Sequence, residues 1–284
     1  MTRDDGWSVA EPGTLRFDDD PIQEAEIRVM GGAVNVIGTD EPVARLEIAA
    51  VEGPPLLVSV SGERLVIGYR DLPWQGFLPW LAHRRRRRAV ISLSLPRASR
   101  VSVGAVGAPV TLSGLAGRVT ASSLRGDIRL LGLGGPTRVE TVSGAVEAVG
   151  LRGPFHCHSV SGPLTMVDGA SPSVRAESVG GDLVLDLAGT APPDVRLTTV
   201  SGELVVRVPE TAGAAVSASS VSGVLSCRLP GLPLDARGPR SFAGRLGAGS
   251  GTISCSSVSG PITLLPRPVP EHERPAASPL RKEV

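Results

Sequence analysis

A short repeat constrains this chain more than any other feature. Val-Ser-Gly recurs with its glycine at Gly144, Gly162, Gly202, Gly223 and Gly260, and Gly126 (in Ser-Leu-Arg-Gly) and Gly181 (in Ser-Val-Gly-Gly) are degenerate copies. The steps from Gly126 are 18, 18, 19, 21, 21 and 37 residues. The last spans about two periods, so one copy has decayed or been replaced by the Gly-rich stretch 238–251. Gly117, Gly135 and Gly153 halve the early period to 9 residues, which gives each repeat two short strands and two turns.

Aligning the copies on their glycine separates two kinds of column, because successive strand residues point to opposite faces. Five places before the glycine stand Ala121, Val139, Cys157, Ala176, Leu197, Ala218 and Cys255, and the column seven before is also mostly apolar. Ile128, Val146, Leu164, Leu183, Leu204, Leu225 and Ile262 follow two places after it, with a further apolar column at four. These columns are expected to face inward. The column six before (Thr120, Arg138, His156, Arg175, Arg196, Ser217, Ser254) and the column four before (Ser122, Glu140, His158, Glu177, Thr198, Ser219, Ser256) are expected to face water.

Three places before the glycine every copy carries Ser or Thr. A short hydroxyl bonds nearby backbone at a bend, and glycine is expected to supply a positive φ for a sharp corner. The corners Gly126, Gly144, Gly162, Gly181, Gly202, Gly223 and Gly260 are therefore expected to stack on one another. The fold class that follows is all-β: a single-stranded parallel β-solenoid, or β-helix, with two short strands per coil of 18–21 residues. The usual chirality of parallel crossovers makes it right-handed. Residues 1–20 form an N-terminal segment, 21–98 an irregular β cap or a set of irregular first coils, 99–265 the regular solenoid, and 266–284 a disordered Pro-rich tail.

Composition excludes several functions. Lys+Arg (29) and Asp+Glu (28) nearly cancel, so no overall field draws the chain to nucleic acid, and no nucleic-acid partner is expected. Lys282 is the only lysine, which rules out a phosphate-binding Gly-Lys-Ser/Thr loop and Schiff-base chemistry. Three cysteines (Cys157, Cys227, Cys255) without Cys-x-x-Cys spacing point to small core residues in a reducing compartment. With no export signal or apolar span read at the start, the expected location is cytoplasmic, or peripheral at the inner face of the membrane.

Ser-Val-Ser-Gly followed by an alternating apolar strand, and the Ser-Leu-Ser-Leu-Pro strand at 92–96, resemble a bacterial putative-adhesin family with β-strand repeats, whose function is unknown. The resemblance spans most of residues 25–265. It implies the repeat fold, with some relatives tied to surface display and others to envelope stress. It carries no catalytic residues across.

The remaining chemistry is local. Candidate metal ligands are His156, His158, Glu140 and Glu177, since imidazoles and carboxylates together bind zinc; the plainer expectation is a solvated ladder of weak pairs, with no metal and no cofactor. Asp127, Asp182 and Glu203, each one place after a glycine, are the acids a sugar-cleaving enzyme would need in one groove, but they sit in different coils. A Ser/His/Asp triad lacks a buried histidine, because His83 and His272 fall in an Arg-rich loop and the tail. The segment 72–88 concentrates Trp74, Phe77 and Trp80 ahead of Arg84, Arg85, Arg86, Arg87 and Arg88. It either plugs the open end of the solenoid or contacts a protein partner or an anionic membrane. The sequence thus predicts a non-enzymatic scaffold or binding protein acting through its faces and this loop. A peripheral membrane protein of envelope stress is the first alternative, and a polysaccharide-acting or metal-dependent enzyme the second. Exposed strand edges also allow homo-oligomers.

Overall fold

Residues 4–69, 87–189, 194–209, 211–232 and 240–267 are described by the computed structural model of the protein. Runs in which Val, Ile and Leu alternate with polar residues favour extended chain, and strands are the only regular elements among the described residues. The first eight are β1 (Asp4–Val9), β2 (Gly13–Phe17), β3 (Glu24–Val29), β4 (Gly31–Thr39), β5 (Ala44–Glu52), β6 (Leu56–Ser61), β7 (Arg64–Gly68) and β8 (Arg88–Pro96). The middle of the chain supplies β9 (Arg100–Ala105), β10 (Val110–Ser113), β11 (Val119–Ser123), β12 (Ile128–Leu131), β13 (Thr137–Thr141), β14 (Val146–Val149), β15 (Phe155–Ser159), β16 (Leu164–Gly169), β17 (Ser173–Ser178), β18 (Leu183–Leu187), β19 (Asp194–Thr199) and β20 (Leu204–Val208). Last come β21 (Ala214–Ser220), β22 (Leu225–Cys227), β23 (Ser241–Leu246), β24 (Gly251–Ser257) and β25 (Ile262–Pro266).

They form two large, mostly parallel sheets. Sheet one runs β1-β6-β7-β3-β9-β11-β13-β15-β17-β19-β24-β21-β23, and sheet two runs β2-β5-β8-β4-β10-β12-β14-β16-β18-β20-β25-β22. From β9 to β20 the chain alternates between the sheets, so each strand pair makes one layer. Neighbouring layers pair in register, with Val119 beside Thr137, Phe155, Val174 and Val195 in turn.

All four apolar columns are buried, sheet one giving Ala121, Val139, Cys157 and their equivalents and sheet two giving Ile128, Leu130, Val146 and theirs to one continuous core. Each fully buried Val, Leu or Ile contributes about 1.5–3 kcal/mol, so this core is the main stabilising term. Cys157, Cys227 and Cys255 are free and buried in it.

The corner glycines owe their identity to something other than φ. None of Gly126, Gly144, Gly162, Gly181, Gly202, Gly223 and Gly260 has a positive φ, which corrects the expectation from sequence. A Cβ on Gly144 would instead overlap the carbonyl oxygen of Gly126, one on Gly162 that of Gly144, and one on Gly181 that of Gly162. Backbone lies on backbone here. The hydroxyl three places earlier closes the corner: Ser123 Oγ donates to the Gly126 carbonyl at 2.7 Å, and the Gly181 amide donates to Ser178 Oγ at 2.8 Å. The serine of Val-Ser-Gly links layers, as Ser143 Oγ donates to Leu124 O at 3.1 Å and Ser161 Oγ to Val142 O at 3.0 Å.

The last layers do not follow chain order. β24 and β25 lie between the β19/β20 layer and the β21/β22 layer, so the glycines stack as Gly202, Gly260, Gly223. No copy has decayed in the 37-residue step: Ser241–Leu246 of the Gly-rich stretch is β23, which covers the outer edge of β21 in antiparallel pairing.

At the other end β1 and β2 pair antiparallel with β6 and β5, so residues 4–17 belong to the sheets. Glu26, buried on β3, accepts Arg28 Nη2 at 2.6 Å and is also bonded by Arg64. No described helix is long and apolar enough to cross a membrane.

Replacing Gly162 by alanine is expected to cost about 1–3 kcal/mol through overpacking, while the same change at exposed Gly107, where a Cβ meets nothing nearer than Met30 O at 3.7 Å, stays within about 0.5 kcal/mol. Denaturant melts of the two variants check this; equal losses would remove the close-approach explanation.

Candidate functional site

The outer face of sheet one carries a cluster of titratable and charged groups. Strand alternation sends His156 and His158 outward from β15 while Cys157 between them goes into the core. In-register pairing then sets His156 between Arg138 and Arg175, and His158 between Glu140 and Glu177. The rings of the two histidines lie 4.5 Å apart, centre to centre. His158 Nδ1 is 3.3 Å from Glu177 Oε2. Ligand atoms of His156, His158 and Glu177 all fall within 4.8 Å of one another. Glu140 is not in that group: its carboxylate faces Arg138 at 2.9 Å.

Next to the histidines a groove of about 350 Å³ is lined by Arg118, Arg138, His156 and Arg175, with Pro136 and Pro154 along its margin. Arg118 and Arg175 make no ion pair with any described residue, whereas Arg138 is committed to Glu140. A larger hollow of about 640 Å³ lies among residues 6–15 and Ile48, but Glu11 is its only charged residue.

Several groups that looked chemical in the sequence are occupied structurally. Asp127 Oδ1 accepts the Ala145 amide at 3.0 Å and Asp182 Oδ1 the Glu203 amide at 2.8 Å, each tying one layer to the next. Burial pushes the Cys157 and Cys255 thiols up to about 12, and raises that of Cys227. Trp74, Phe77, Trp80, His83 and Arg84 to Arg86 lie outside the described residues, as does His272. Arg87 is buried, its guanidinium 5.5 Å from the centre of the Tyr69 ring, and Arg88 Nη1 lies 3.9 Å from Glu52.

Two further features had no clear sequence signal. Arg267, just past β25, reaches back to Asp168 Oδ1 at 2.9 Å and to the Leu187 carbonyl at 3.1 Å. The valine of Val-Ser-Gly forms an exposed apolar ladder of Val142, Val160, Val179, Val200, Val258 and Val221.

Solved structures are similar to this chain. A "putative lipid binding protein" from Parabacteroides distasonis ATCC 8503 is similar in fold, with a TM-score of 0.52 at 12% identity over 91% of this chain and 98% of that one. A "putative adhesin" from Bacteroides fragilis NCTC 9343 aligns with a TM-score of 0.43, 12% identity and coverage of 91% and 98%. Another from Parabacteroides distasonis ATCC 8503 gives 0.41, 13%, 93% and 97%. No family model and no curated protein matches the chain.

The His156 environment sets a pH dependence. Burial, then the nearby His158 and Arg138, and more weakly Arg175, lower its pKa from 6.5 against the opposing pull of Glu177. The unfolded chain therefore takes up this proton more readily than the folded one. Stability that His156 contributes when neutral is lost as pH falls through 6.5 toward its folded value. The denaturation midpoint is expected to drop between about pH 7.5 and 5.5, and to drop less in His156→Gln. Parallel profiles for the two proteins would contradict this assignment.

Proposed function

We propose that this chain is a non-enzymatic binding protein built as a parallel β-solenoid, right-handed by the usual rule for parallel crossovers, whose cationic groove takes an anionic ligand. One observation carries the reading: Arg118 and Arg175 line one groove and make no ion pair with any described residue. An arginine fork left unpaired in a concave site is suited to carboxylate, sulfate or phosphate. The prolines at its margin offer flat apolar surface to a ring. A binding role is also supported by the way Asp127 and Asp182 spend their carboxylates on backbone amides. We further propose that the chain belongs with the adhesin-like family its repeat resembles; the repeat residues and the fold-level likeness support this.

Titration calorimetry with dextran sulfate tests the groove. The wild-type chain is expected to bind, less tightly as salt rises, and Arg118→Ser/Arg175→Ser to bind at least about tenfold more weakly, since two charge-assisted contacts are lost. Neutral dextran is expected to give no heat. Equal binding by the double variant, or by neutral dextran, would overturn the proposal.

A second reading concerns the segment 72–88, whose aromatics and arginines suit a membrane interface. Location at the inner, cytoplasmic face of a membrane is proposed on this basis, and the lipid-binding description of the fold neighbour is compatible with it. In flotation assays with phosphatidylglycerol vesicles, the wild type should rise with the lipid, and a variant with Trp74, Trp80 and Arg84 to Arg86 changed to serine should not. If both float alike, the segment is no anchor.

A further inference from the structure

The three groups His156, His158 and Glu177 have the arrangement a metal centre requires. Both histidines project from the same face because they are two apart on one strand. The parallel register then delivers a carboxylate from the adjacent strand directly beside the second. Zn–N and Zn–O bonds of about 2.0–2.1 Å, set at tetrahedral angles, separate ligand atoms by about 3.4 Å. His158 Nδ1 and Glu177 Oε2 are 3.3 Å apart, close to that separation, and all three ligand atoms lie within 4.8 Å of one another.

A further observation favours a cation there. His156 Nε2 is buried and has no hydrogen-bond partner among the described residues. A buried ring nitrogen without a partner is a costly arrangement unless something takes its lone pair. The nearby positive charge is partly offset, since Arg138 is paired with Glu140 at 2.9 Å.

We propose that His156, His158 and Glu177 form a binding site for a zinc-class divalent cation, with its fourth coordination position open toward the arginine-lined groove. Three protein ligands and one open position make a site that accepts water or an anionic donor. Other borderline cations that take imidazole and carboxylate, such as Co²⁺, fit it too, while Mg²⁺ and Ca²⁺, which want more oxygen ligands, do not. This site goes beyond the anion-binding reading and stands without it.

The test is equilibrium dialysis of the full chain against micromolar Zn²⁺, with bound metal measured by mass spectrometry and no polyanion present. One zinc per chain is expected. His156→Ala, His158→Ala and Glu177→Gln should each weaken binding by at least about tenfold, the loss seen when even an outer partner of a metal ligand is removed. All three side chains point away from the core, so circular dichroism should match the wild type. The chain has only four histidines, so His83→Ala/His272→Ala is the control and should bind zinc as the wild type does. Loading with Co²⁺ should give the intense visible absorption of a tetrahedral site. Sub-stoichiometric zinc, loss of binding in the control, or unchanged binding in His156→Ala and His158→Ala would each overturn the proposal. Because dextran sulfate binding is scored separately on Arg118 and Arg175, failure of either site leaves the other standing.

Discussion

The contact between one corner glycine and the carbonyl of the glycine beneath it governs the rest of the structure. Where strands pair in parallel and in register, every equivalent atom lies about 4.8 Å from its copy in the next layer. A Cβ at Gly144, Gly162 or Gly181 has nowhere to go but into the oxygen of the preceding corner. The neighbouring hydroxyls add to the backbone bonds at these corners. Ser123 and Ser178 serve their own layer, while Ser143 and Ser161 serve the one below.

With inward columns held by packing and corners by close approach, the outward columns are where this chain can vary cheaply. In-register stacking turns each outward column into a ladder, so a residue's chemical neighbours are its equivalents about 18–21 positions away in the sequence. Arg138, His156 and Arg175 are such neighbours, and so are Glu140, His158 and Glu177. The groove and the histidine cluster therefore arise from a few substitutions on an otherwise repetitive face. No loop or insertion is needed to bring them together, and the rigid layers beneath hold them in place.

Much of this was legible from the columns alone. All-β character and the buried positions follow from apolar residues spaced two apart around each glycine, because only one periodicity fits them. The adjacency of His158 to Glu177 followed from the same alignment. Other features were not. A glycine in a sequence does not say whether it is there for its φ or for the space above it, and the corner glycines are there for space. Glu26 and its two arginines, and Arg267 with Asp168, join positions whose proximity depends on how the ends fold. The acids after the glycines read as surface charge, yet Asp127 and Asp182 are used as backbone acceptors.

The order of the last layers shows why columns fix faces better than they fix sequence of stacking. Ile253 and Cys255 of β24 present the same inward pattern as Val216 and Ala218 of β21, so either strand fits against Val195 and Leu197 of β19. What separates the two arrangements is the edge. With β24 inserted, β21 faces outward and the chain can lay β23 across it antiparallel, which covers the exposed ladder of sheet one. The other order would require β23 to cover β24 immediately before the chain turns into it, through a connection of only four residues between Leu246 and Gly251. Such a hairpin is possible, but it would leave β24 paired on one side with its own hairpin and β21 with no role in the cap. An exposed parallel edge is a template for further strands. The observed order keeps that edge short in sheet two, where β22 has three residues, and covered in sheet one. It also means that the slot between β19 and β21 is filled by chain that arrives later, so closure of this end waits on contacts between segments 37 and 58 residues apart.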